Sequence, residues 1–194
     1  MIIGLTGGIA TGKSAVCKIL KKIGIKIIDS DKIAHQVLNL DEVIEEVKKH
    51  FGETVLDKDG YIDRKKLGKV VFNEEKKRKQ LETITHPKIF ELIDKKIDEY
   101  QDKKEEIIVL DAPLLFETAL DKKVDETWVV YADKDTQIKR LKKRDDLNKQ
   151  EAIKRIDAQI PLKTKVKKAD VVIKNEGTIN ELESKINKLV EKRR

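Results

Sequence analysis

Cysteine occurs once in the 194 residues, as do methionine and tryptophan, and proline occurs three times. The lone thiol, Cys17, excludes an internal disulfide and suits a reducing compartment. It falls in the first helical segment, where a small buried residue is the simplest role. Aromatic residues make up 4% of the chain and are not interleaved with basic ones, so no stacking platform for single-stranded nucleic acid is visible. No apolar run approaches the roughly 20 residues of a membrane span. The run from Met1 to Ala10 lacks a basic n-region and is cut by Gly7 and Gly8, so it does not read as a signal peptide. A cytoplasmic protein with no membrane and no nucleic-acid partner is the expectation.

What the chain has in excess is charge. Charged residues make up 41%, with 43 Lys and Arg against 36 Asp and Glu, a formal net charge of +7. Such a balance suits nucleic acid and small polyanionic ligands equally. Abundant Lys and Glu beside little Cys and Met leans toward hyperthermophile usage. The 39% of hydrophobic residues fall in periodic segments, which argues for a folded globule over disorder.

Strands are expected at Ile2 to Thr6, Ile25 to Asp29, Ile107 to Asp111, Thr127 to Ala132 and Asp170 to Lys174. Four of these runs are continuous and β-branched, the mark of strands buried on both faces of a parallel sheet. Helical patterns between them give the βαβ alternation of a doubly wound α/β fold. The first helix begins at Lys13, buries Val16, Leu20 and Ile23, and stops at Gly24, a good left-handed cap. The last opens with Thr178 and Glu181, spaced as a capping box. Between the second and third strands lie about 75 residues, far more than the roughly 10 to 12 a crossover needs. An insert is therefore expected, with Pro87 opening a helix that carries Ile89, Phe90, Ile93, Ile97 and Tyr100 on one face. A second excess, between Ala132 and Asp170, has two basic amphipathic helices. Kinases of small molecules use such positions for a substrate domain and a lid.

Gly7, Gly12, Lys13 and Ser14 fit G-x-x-x-x-G-K-[ST] between an expected strand and an expected helix, the context of a P-loop. Glycines let backbone N–H groups turn toward phosphates, and the helix N-terminus adds a favourable dipole. Lys13 supplies a mobile point charge, and the Ser14 hydroxyl can ligate Mg²⁺ beside ATP. Asp29 and Asp31 end the second strand, at the sheet edge where open α/β folds bind ligands. Asp31 reads either as a base for an attacking hydroxyl or as the N-cap of the helix from Lys32 to Leu38. Asp111 reads as a Mg²⁺-directed carboxylate or as the residue before a turn at Pro113.

The runs Gly4-Leu5-Thr6-Gly7-Gly8-Ile9 and Ile28-Asp29-Ser30-Asp31-Lys32-Ile33-Ala34, with Lys13-Ser14 between them, resemble the opening of dephospho-CoA kinases. In the same order follow Asp63-Arg64, Leu67-Gly68, Phe72, His86-Pro87, Pro113-Leu114-Leu115-Phe116-Glu117, Gln137 with Arg140 and Arg144, and Ala169-Asp170 with Asn175 and Gly177. The resemblance spans nearly the whole chain. It implies one P-loop kinase domain over residues 1–194, an α/β fold with a five-stranded parallel sheet flanked by helices. A helical acceptor-binding insert at about 60–102 and a helical lid at about 140–165 complete it. The implied reaction is ATP-dependent phosphorylation of the ribose 3′-hydroxyl of dephospho-CoA, the last step of coenzyme A biosynthesis, with Mg²⁺.

Carried over residue by residue, the resemblance makes Asp31, Lys13 and Arg140 catalytic. It assigns ATP to Gly8, Ala10, Thr11, Gly12, Lys13, Ser14, Ala15, Arg144, Asn175 and Gly177. It assigns the acceptor to Thr6, Asp31, Arg64, His86, Pro87, Leu114 and Phe116, and the metal to Ser14. Two departures stand out: Ala10-Thr11 where the family often has Gly and Ser, and Ala15 where Thr is common. Plainer readings stay open. His86 can be a turn residue ahead of Pro87, Arg140 and Arg144 a solvated basic face, Asn175 and Gly177 a turn, and Trp128 simply core. Another small-molecule kinase on this scaffold, or an NTP-dependent nucleic-acid protein, are the competing functions.

Overall fold

The computed structural model describes residues 1–72 and 74–194. The sheet consists of β1 (Ile2–Gly7), β2 (Lys26–Asp29), β3 (Ile108–Asp111), β4 (Glu126–Tyr131) and β5 (Val171–Lys174), in the order β2-β3-β1-β4-β5. β1 pairs in parallel with β3 and β4, and β4 with β5. All five expected strands are therefore present. Burial on both faces holds only for the inner three; β2 and β5 are partly exposed. The reason is topological, because an edge strand has one neighbour and is less covered.

The chain divides into two compact units, residues 1–28 with 100–194, and residues 29–99. In the first unit, α1 (Lys13–Lys22) and α9 (Ile179–Glu191) bury Val16, Leu20, Leu182 and Ile186 against Ile3, Leu5, Trp128 and Ile173. Trp128 is fully buried core, as its mid-strand position implies. α1 ends as expected: Gly24 has φ 86° and its N–H bonds the Lys21 carbonyl at 3.1 Å. The capping box of α9 is also present, with Thr178 N–H donating to Glu181 at 3.0 Å and Glu181 N–H to Thr178 at 3.3 Å. Such a cap is worth about 1 kcal/mol. Beyond α9, the Arg193 guanidinium pairs with Glu126 and lies 5.0 Å over the Trp128 ring. The Arg193 hydrogen bond holds the Glu126 carboxyl below the usual carboxylate range, with the Trp128 indole N–H adding to it.

After β4 come α6 (Lys134–Asp145), α7 (Lys149–Asp157) and α8 (Leu162–Lys168). Ile138, Leu141 and Ala152 form a small apolar cluster with Ile9 and Ala10 of the loop after β1. The lid segment expected from sequence thus shares an apolar contact with the P-loop.

The second unit holds α2 (Ser30–Val37), α3 (Asp41–Phe51), α4 (Arg64–Phe72) and most of α5 (Glu75–Asp102). It runs from Asp29 to Glu99, within the long connection between the second and third strands. Two local expectations are corrected. β2 stops at Asp29, which is the N-cap of α2 and accepts from the Lys32 N–H, so Asp31 neither ends the strand nor caps the helix. Pro87 does not open a helix; it lies inside the 28-residue α5. Proline removes one hydrogen bond from a helix interior, at a cost of about 3 kcal/mol or more. Here Lys, Glu and Gln-rich helix formers run up to it and Thr85, Ile93 and Ile97 are buried on either side of it, so the helix continues through.

Candidate active site

The loop between β1 and α1 is held by side chains from distant parts of the first unit. Gly12 has φ 97°, and a Cβ there would lie 2.0 Å from Asn175 Nδ2, so both conformation and space demand glycine. Ile9 is gripped twice. Its N–H donates to Gln159 Oε1 at 2.9 Å, and its carbonyl accepts from Gln137 Nε2 at 2.6 Å. The next two carbonyls accept from Arg140, at 3.3 Å for Ala10 and 3.1 Å for Thr11, while Asn175 Nδ2 also donates to Thr11 at 2.8 Å. The other Arg140 nitrogen donates to the Asn175 carbonyl at 2.8 Å. Thr11 turns inward, fully buried, with its hydroxyl on the Gly8 carbonyl at 2.9 Å.

The carbonyls of Gly8, Ile9, Ala10 and Thr11 are thus all occupied. No side chain among the described residues caps the first turn of α1, so its leading N–H groups form an anion-binding terminus. Ala10 has φ 58°, a left-handed conformation that favours glycine. The departure noticed in sequence therefore falls where a Cβ costs about 1–2 kcal/mol.

Lys13, half-buried, forms an ion pair with Asp111, and Cys17 Sγ donates to the other Asp111 oxygen at 3.2 Å. Burial pushes the Cys17 thiol up to about 12, helped by the adjacent Asp111 charge. Ser14 is exposed at the second position of α1 and Ala15 is half-buried behind it. Among the described residues no three His, Cys, Asp or Glu side chains converge as a metal site. A cation held by Ser14 and one carboxylate would take its other oxygens from phosphate and water, which is how Mg²⁺ is bound beside nucleotides. The donor set fits that ion in that role.

The remaining sequence-derived residues separate by unit. In the first, the buried Thr6 hydroxyl donates to the Pro113 carbonyl at 3.0 Å. Leu114 is 49% exposed, and Phe116 is half-buried with Lys168 Nζ 5.5 Å from its ring centroid. The solvated-face reading is compatible with Arg144, which is exposed and bonds Asp145 at 2.7 and 2.9 Å. It fails for Arg140, which is half-buried against the loop. Gly177 lies in the turn before α9, where a Cβ would meet Glu181 Oε2 at 1.8 Å.

In the second unit, Asp31 is exposed in the first turn of α2 and Arg64 is exposed at the start of α4. Asp63 accepts from the N–H groups of Lys65 and Lys66 at 2.9 and 3.1 Å, which holds its carboxyl below the usual range, the Lys66 bond most. The His86 ring lies 5.5 Å from that of Phe90, and Pro87 beside it is exposed.

Two residues escape sequence reasoning. Gln159 has no periodicity to single it out, and Lys165 reads as one more lysine in a basic helix, yet it is fully buried. Only the hydrophobic spacing of α8 could have hinted that position 165 points inward.

A parallel sheet whose central strand leads through a phosphate loop into a helix headed by Lys13 and Ser14 defines a P-loop nucleotide-binding fold. The sequence profile of dephospho-CoA kinases matches residues 1–181. A dephospho-CoA kinase of Carboxydothermus hydrogenoformans is 47% identical over 98% of this chain and 93% of its own. One of Shouchella clausii is 48% identical over 92% and 91%. A solved dephospho-CoA kinase from Campylobacter jejuni superposes with a TM-score of 0.68 at 33% identity, covering 99% of this chain and 96% of that one. The chain belongs to the dephospho-CoA kinase family.

Proposed function

We propose that this protein transfers the γ-phosphate of ATP to the ribose 3′-hydroxyl of dephospho-CoA, giving CoA and ADP. The observation that carries the reading is the family match across nearly the whole length, at close to half identity to its relatives. The backbone N–H groups heading α1, with Lys13, bind the β- and γ-phosphates. Gly8, Ala10, Thr11, Gly12, Ser14 and Ala15 line the same nucleotide. Asn175, Gly177 and Arg144 lie on the ATP side, and the Ser14 hydroxyl would hold Mg²⁺, which would supply charge neutralisation at the phosphates.

The acceptor oxygen attacks the γ-phosphorus as the bond to the β-phosphate oxygen breaks, and its proton passes to the Asp31 carboxylate. Lys13 and Arg140 offset charge developing on the phosphoryl oxygens. Thr6, Arg64, His86, Pro87, Leu114 and Phe116 hold the acceptor, the residues at about 60–102 forming its binding insert and those at about 140–165 a closing lid. Among the described residues no helix is long and apolar enough to cross a membrane, and the working compartment is the cytoplasm.

A coupled ADP-release assay with Mg·ATP and a panel of dephospho-CoA, nucleosides, nucleoside monophosphates and shikimate tests this. Turnover confined to dephospho-CoA, with CoA as product, is the expected result. Turnover only on another acceptor would discard the acceptor while keeping the P-loop chemistry.

A further inference from the structure

Lys165 is fully buried, a rare state for a lysine, and the phosphoryl-transfer chemistry above does not use it. Its ammonium donates to the Pro113 carbonyl at 2.8 Å and pairs with Glu117 Oε1 at 2.8 Å. A buried charge persists only where its donors are matched, and here both partners flank one short loop. The same Pro113 carbonyl also accepts from the Thr6 hydroxyl at 3.0 Å. Thus the end of β1 and the middle of α8 grip the loop at its first residue, and α8 grips it again at its last. Between those points Leu115 is fully buried, which leaves Leu114 and Phe116 as the side chains the loop offers outward. Lys168, one turn along α8, lies against the Phe116 ring.

We propose that Lys165 is a positioning residue for the acceptor. By fixing Pro113 and Glu117 it sets the loop shape in which Leu114 and Phe116 meet dephospho-CoA. This rests on the acceptor reading given above, and it assigns to a lysine outside the phosphate site control over acceptor binding alone. Neither of its polar partners, Pro113 and Glu117, is among the residues assigned to ATP, so the two substrates should respond differently to its loss.

Steady-state kinetics of Lys165→Met and Lys165→Arg with both substrates test it. Lys165→Met is expected to raise KM for dephospho-CoA about tenfold or more, with KM for ATP within about twofold, and Lys165→Arg to recover most of the loss. A single variant can lose its fold through the unpaired Glu117, so the double variant Lys165→Met/Glu117→Met is measured as well. Replacing both members by apolar side chains leaves neither the buried ammonium site nor the partly exposed Glu117 carboxylate without its partner, yet it still removes the donor to Pro113. The selective KM increase must therefore persist in a well-folded double variant. Equal changes in both KM values, or a folded double variant with wild-type KM for dephospho-CoA, would reduce Lys165 to a packing role and overturn the proposal. A wild-type protein that turns over other acceptors but not dephospho-CoA removes the acceptor reading itself, and this inference with it.

Discussion

Polar groups are organised in opposite ways in the two units. Around the phosphate loop, a few half-buried side chains each satisfy several backbone groups, as Arg140 does for three carbonyls. In the second unit the charges lie on helix surfaces and pair with near neighbours or across exposed faces, as in Glu75–Lys79, Glu91–Lys95 and Lys88–Glu42. Buried, multiply bonded groups specify a geometry, because each unmet partner would be costly. Exposed pairs specify little and serve solubility. A catalytic group in the solvated unit should therefore matter through chemistry, whereas one in the loop collar should matter through shape.

The sharpest test of that contrast is Asp31→Ala, where an exposed side chain should lower kcat about a thousandfold while KM for ATP changes little. Near-normal turnover would sink the base assignment. Arg140→Ala comes next, since it strips donors from Ala10, Thr11 and Asn175 at once. KM for ATP is expected to rise about tenfold to a hundredfold. A parallel fall in kcat would report its part in offsetting phosphoryl charge, and an unchanged KM for ATP would remove the loop-shape role.

Cys17 gives a pH signature. Its folded pKa, about 12, lies above the ordinary 9.0. Between those values the unfolded chain has lost a proton that the folded chain keeps, so stability falls as pH rises through the window. Denaturant titrations of wild type and Cys17→Ala from about pH 8 to pH 11 should show the steeper decline in wild type. The thiol should also resist alkylation at pH 8, because the reactive thiolate is scarce.

A smaller gain is expected from Ala10→Gly. Relief of the left-handed alanine, about 1–2 kcal/mol, exceeds the roughly 0.4–1 kcal/mol that glycine adds to unfolded-chain entropy. The melting temperature should rise by about 2 °C. Lys88→Ala, which breaks an exposed pair with Glu42, should shift it by less than about 2 °C. A larger loss would erase the distinction between the units.

Much was legible because its physics is local. β1, the P-loop spacing, the Gly24 stop and the Thr178–Glu181 capping box all follow from neighbours within a few residues. Local reasoning erred where two local solutions compete. Either Asp29 or Asp31 could cap α2, and Pro87 could open a helix or sit inside one; strand length and flanking helix formers decided. The edge strands show the same limit, since β-branched runs do not reveal how many neighbours a strand will have.

By itself the sequence determined the five strands, the phosphate loop and the family, but not the helices between them: it suggests two after β4, where the structure has α6, α7 and α8. Only tertiary structure decided which donor reaches which carbonyl: Gln159 at Ile9, Arg140 at Thr11, Lys165 at Pro113, partners 150, 129 and 52 residues apart. A cap or a turn is set by torsions its own residues choose. A hydrogen bond between distant segments exists only after the sheet has brought their ends together, so no spacing within either segment records it.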